Sequence, residues 1–157
     1  MRGLIVTIAV LGVVSLTGCG LLSEDKTLEV STDRSVYPTG STINIAAKNV
    51  SDDVIYYNSC MAMVLEELSD GSVSKGTPLP QCSCLCITEL RPGDKWEGGM
   101  AVDWFWANEG MFEPEIGPRH RFRLAFYKDS KLQHLIRPDE LISNAFRFQD
   151  GELHAGN

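Results

Sequence analysis

From Thr27 to Phe148 apolar residues recur at every second position, and nowhere do they hold the three-and-four spacing of an amphipathic helix three turns long. A period of two sends alternate side chains to opposite faces of an extended strand. Leu28 and Val30 alternate with Glu29 and Ser31, and Ile43 and Ile45 with Asn44 and Ala46. Val54-Ile55-Tyr56-Tyr57 is a dense β-forming run. Met61 to Leu68 suits strand or helix by composition, but the Ser69-Asp70-Gly71 turn and Val73 beyond it favour a hairpin. Trp96, Gly98, Met100, Val102 and Trp104 are expected on one face of a strand that runs to Trp106. Arg121 to Tyr127 is the clearest strand, with Phe122, Leu124 and Phe126 facing in and Arg121 and Arg123 facing out. Ile142 to Phe148 closes the pattern, and Asp139-Glu140-Leu141 has room for one helical turn.

Turn chemistry separates these runs. Tyr37-Pro38-Thr39-Gly40 predicts a type I turn, and Arg91-Pro92-Gly93-Asp94 a type II turn with Gly third. Thr77-Pro78-Leu79-Pro80 predicts a loop, because two prolines exclude a central strand. Ala107 to Pro118 reads as a long loop. Gly98-Gly99 inside a strand predicts a bulge or a close backbone approach. Seven or eight short strands with turns between them make an all-β sandwich or barrel. A chain of 157 residues suits one such domain.

The first residues are of another kind. Met1-Arg2-Gly3 precedes an apolar run from Leu4 to Val14, too short to span a bilayer and of the length of a secretory core. Leu16-Thr17-Gly18-Cys19 follows and resembles the bacterial lipobox. The resemblance implies removal of residues 1–18 as a lipoprotein signal peptide and lipidation of Cys19. Residues 19–26 would then be the lipidated cysteine and its tether, 27–149 the domain, and 150–157 a polar tail. Seven residues reach about 25 Å at full extension, so the domain is expected close to the membrane surface. Loss of Arg2 takes the formal charge from −7 to about −8. An acidic surface argues against nucleic acid as a partner.

The Tyr37-Pro38-Thr39-Gly40 turn, the Ile43/Ile45 strand, Asn49-Val50-Ser51, Arg91-Pro92-Gly93 and Ser143-Asn144-Ala145-Phe146 together resemble bacterial extracellular immunoglobulin-like domains. Among these the chain is most similar to domains grouped with the intracellular proteinase inhibitors of bacilli, over roughly residues 27 to 148. The resemblance implies an immunoglobulin-like β-sandwich of seven to eight strands behind the signal peptide, with proteinase inhibition as one inherited activity. An exposed loop, 107–118 or 77–81, would carry inhibition.

The chain has five cysteines. Lipidation of Cys19 accounts for the odd one and leaves Cys60, Cys82, Cys84 and Cys86. In an oxidising compartment four cysteines read first as two disulfides. On a straight strand the cluster's neighbouring Cα atoms would lie about 6.6 Å apart with parallel side chains, a poor fit to a bridge. If all four pair, two of the cluster pair with each other and the segment bends. Cys82–Cys86 with Cys60–Cys84 is the least strained choice, and Cys60–Cys86 with Cys82–Cys84 competes. The alternatives are a Cu(I) site adding Met61 and Met63, for which soft ligands suit, and thiol exchange. No metal or cofactor is expected if the disulfides form.

Trp104, Trp106, Met111 and Phe112 form the second constellation. Core and loop packing is the plainer role, and a recognition patch the functional one. His120, His134 and His154 are scattered, and no nucleophile–base spacing is present. The expectation is a non-enzymatic interaction or structural module of the cell envelope. Its partners are the membrane, through the lipid, and an unknown envelope protein.

Overall fold

The computed structural model describes residues 26–79, 84, 86–107 and 117–149. Over these the chain is all-β apart from one short helix and one 3₁₀ turn. Strands β1 (Leu28–Thr32), β3 (Thr42–Asn49) and β8 (Lys95–Ala101) form an antiparallel sheet with β3 in the middle. Strands β5 (Met63–Ser69), β6 (Ser72–Pro78) and β9 (Arg119–Leu124) form a second, ordered β6-β5-β9. β4 (Ile55–Asn58) pairs antiparallel with β7 (Ile87–Leu90). β2 (Val36–Pro38) pairs with β10 (Arg147–Gln149), and this pair is parallel.

Period two decides which side chains are buried. Leu28, Ile43, Ile45 and Ala47 of the first sheet and Leu65, Phe122 and Leu124 of the second join one core, with Tyr37, Phe126, Phe146 and Phe148. Arg119, Arg121 and Arg123 alternate outward from the buried His120, Phe122 and Leu124. Asp70 and Gly71 link β5 to β6, both with positive φ, as a two-residue hairpin requires.

The motif residues turn out to be hydrogen-bonding joints. Asn49 is fully buried. Its Nδ2 donates to the carbonyls of Asp53 and Leu90, and its Oδ1 accepts from Ser51 N and Oγ. Ser143 Oγ accepts from Phe122 N at 3.0 Å, while Asn144 brackets Thr32, accepting from its amide and donating to its hydroxyl. Segment 141–146 thus laces β1 to β9, adding single bridges Arg123–Ile142 and His120–Phe146.

Four local expectations are corrected. The first turn is Pro38–Ser41, closed by Ser41 N to Pro38 O with Gly40 at φ +83°, so it lies one residue later and is of type II. Tyr37 is core instead, its hydroxyl bonded to Asp33. Thr77 and Pro78 end β6, an edge strand, where a missing N–H disrupts no interior ladder. The strand expected to reach Trp106 stops at Ala101, and Val102–Ala107 is a helix, α1. The Arg91–Asp94 turn is as expected, with Asp94 N to Arg91 O at 2.9 Å and Gly93 at φ +82°. Neither a bulge nor a close backbone approach explains the double glycine: the β3–β8 register runs unbroken, and what crowds Gly98 is a side chain, the Trp96 ring, 2.6 Å from where a Cβ would lie.

Candidate functional site

The cysteines gather where β4 ends and β7 begins. Ser59 N donates to Cys86 O at 2.7 Å, and the Ser59 and Thr88 hydroxyls are 2.7 Å apart. Cys84 is bridged to Cys86, with their Cα atoms 5.4 Å apart. Cys60 is buried and also disulfide-bonded. Cys82 lies outside the described residues. Both connectivities favoured from sequence gave Cys84 and Cys86 other partners, so the connectivity is corrected. The bend that a bridge within the cluster requires is present, with Cα atoms closer than on a straight strand, but it joins Cys84 to Cys86 just before β7. Three sulfurs engaged in bridges are not thiolates, and thiolates are what a Cu(I) site needs.

The tryptophan constellation is rearranged by α1. On a strand residues two apart share a face, and on a helix they do not. The common Trp104/Trp106 face is therefore corrected. Val102 and Phe105 are fully buried, and Trp104 is half-buried, packed on the core with its ring edge-on to Phe105 at 5.4 Å. Asp103, in the first turn of α1, accepts from Gly40 N at 2.6 Å and so pins the helix to the β2–β3 turn. Trp106 belongs to α1, and Met111 and Phe112 lie outside the described residues, as does Cys19.

Two charged sites went unread in the sequence. Glu140, on the 3₁₀ turn Pro138–Glu140, is buried. It accepts from the amides of Thr27 and Leu28, and from Arg137 Nε at 2.8 Å. Burial pushes its carboxyl upward, but the amides and the Arg137 guanidinium outweigh that and hold it below the usual carboxylate range. This clamp fixes the point where the chain enters β1. The other site is Glu66 on β5, whose side chain keeps 5% of its exposure. Its oxygens accept from Arg121 Nε at 2.7 Å and Arg123 Nε at 2.6 Å. The only sequence signals were two acids, Glu66 and Glu67, inside the apolar Met61–Leu68 run and two outward arginines on the clearest strand. That these meet depends on the β5–β9 register, which local patterning does not contain.

No family model matches the chain, and no curated protein matches it. Among solved structures it is similar to the alkylpurine DNA glycosylase AlkC of Pseudomonas fluorescens bound to DNA with an abasic site analogue. The identity is 8%, the TM-score 0.43, and the match covers 78% of this chain and 30% of the glycosylase. It is also similar to a β-glucosidase from Listeria innocua in complex with isofagomine, at 17% identity and a TM-score of 0.32, over 79% of this chain and 16% of the enzyme. The chain spans well under half of either protein. Likeness at this level carries neither fold nor chemistry across.

Proposed function

We propose that this chain is a lipid-anchored envelope protein whose immunoglobulin-like β-sandwich is a non-enzymatic interaction module, held at the membrane by Cys19. The observation that carries the proposal is the Leu16-Thr17-Gly18-Cys19 motif behind its apolar run. The entry to the domain is consistent with it. Glu140 clamps the amides of Thr27 and Leu28, so the chain is held fast at a point eight residues after Cys19. The parallel β2–β10 pair and the facing β1-β3-β8 and β6-β5-β9 sheets support the immunoglobulin-like assignment.

Fractionation of cells expressing the wild type and Cys19→Ala tests the anchor. The wild type should partition into detergent with a lipid mass on its N-terminal peptide. The variant should appear in the soluble fraction or stall with its signal attached. Normal processing and unchanged membrane attachment of the variant would overturn the proposal.

A further inference from the structure

The outer face of β9 carries Arg119, Arg121 and Arg123 at alternate positions, in a chain of formal charge −7. Neighbouring members of such a row stand about 6.7 Å apart. Across the ladder on β5 the register sets Leu68, Glu66 and Val64 opposite them. Glu66 is the one acid among those three. Both of its oxygens are taken, each by the Nε of a different arginine. Arg119 makes no ion pair among the described residues. One negative charge therefore answers three positive ones.

The atoms used matter. A guanidinium grips a carboxylate best through two parallel N–H groups along one edge. Glu66 engages only Nε of each arginine, and neither makes an Nη hydrogen bond among the described residues. The Nη1/Nη2 edges are left for another partner, and the side chains of Arg121 and Arg123 keep 23% and 47% of their exposure. A carboxylate as buried as Glu66 carries a desolvation cost that an apolar residue on the same sheet face would avoid. What it supplies in return is orientation, since it holds two flexible side chains in fixed azimuth.

The geometry points to a docking row for an extended acidic peptide segment, its carboxylates recurring at every second residue and seated on Arg119, Arg121 and Arg123, with Glu66 as the positioning residue. The period of an extended segment equals the period of the row, so successive acids meet successive forks. Charge selects the same class of occupant. A net of two positive charges is below the four to eight basic residues of a segment that binds anionic lipid, and it matches the few carboxylates of a short segment. The row stands whether or not Cys19 is lipidated.

The test is fluorescence anisotropy of the full-length protein in neutral detergent with a labelled dodecapeptide alternating Glu and Thr. A peptide of the same composition with its acids in one block is the control for spacing. Saturable binding of the alternating peptide is expected, with the blocked peptide several-fold weaker. Arg121→Lys/Arg123→Lys keeps the charge and removes the forks, and should weaken binding about tenfold at unchanged circular dichroism. Three results would overturn the inference: no binding of the alternating peptide at millimolar concentration, equal binding by the Lys variant, or binding to phosphatidylglycerol vesicles in preference to the peptide.

Discussion

His120 sits with its ring 5.0 Å from Phe148 and 6.2 Å from Phe146, and its buried Nδ1 has no hydrogen-bond partner among the described residues. Burial pulls its pKa below the ordinary 6.5, against the opposing effects of Glu67 and the Pro118 carbonyl. The unfolded chain then takes up a proton near 6.5 while the native state resists it. Stability is full above that pH and declines as pH falls toward the depressed native value. His120→Phe should flatten this decline in urea titrations between pH 7 and 5, at a cost of no more than about 1 kcal/mol at pH 7, because the ring slot is aromatic and an unpaired nitrogen is removed while the Pro118 carbonyl loses its partner. Glu140 predicts a second, lower step. Its carboxyl is held below 4.5, so the clamp's contribution is present above 4.5 and is lost as pH falls through the lower native value. Glu140→Ala should cost about 3 kcal/mol at pH 7, since one buried and one partly buried amide lose a charged acceptor. Glu140→Gln should cost less and also flatten the acid limb. Neither residue was legible beforehand. His120 looked like one of three scattered histidines, and Glu140 like part of a helical turn. What makes them matter are partners 26 to 113 positions away.

Among the elements, β8 separates two kinds of glycine. At Gly98 a Cβ would strike the Trp96 ring at 2.6 Å, whereas at Gly99 the nearest atom is Thr42 Cγ2 at an ordinary 3.5 Å. Gly98→Ala should therefore destabilise by about 1–3 kcal/mol, with near-ultraviolet circular dichroism reporting the displaced indole, while Gly99→Ala should be close to neutral. The Cys84–Cys86 bridge closes so short a loop that replacing both with Ser should cost only about 1.5 kcal/mol by loop-closure entropy. Strands were legible because period two survives burial on one face. Leu28, Ile43, Ile45, Phe122 and Leu124 point inward as their parity demands. Helix α1 was not legible. Six residues are too few to display a 3.6 period, and Trp104-Phe105-Trp106 has the composition of a strand. The Pro38–Ser41 turn was misplaced by one residue, because Pro38 fills a strand end while Gly40 supplies the positive φ. Of the cysteines, the pairing of two cluster members was legible, but which two was not, because the bend that brings Cys84 to Cys86 is local backbone geometry that spacing does not specify.

For the whole molecule, the all-β character and single core were readable from pattern alone, whereas the pairing of sheets was not, since every ladder except the β5–β6 hairpin joins segments distant in sequence. The parallel β2–β10 ladder joins Val36–Pro38 to Arg147–Gln149, and Phe146 and Phe148 beside it belong to the core. Truncation at residue 145 should accordingly leave a chain that fails to give a cooperative urea transition, while truncation after Asp150 should not. There is a temporal side to this closure. A polypeptide emerging from its N-terminus through a ribosome or a membrane channel would have delivered β1 to β9 while the mate of β2 was still inside. Until the final strand arrives, Tyr37 and the aromatic slot for Phe146 and Phe148 stand open to water, and no native-like intermediate can be sealed. The expectation is that the core of such a chain closes only once its last strand has been released.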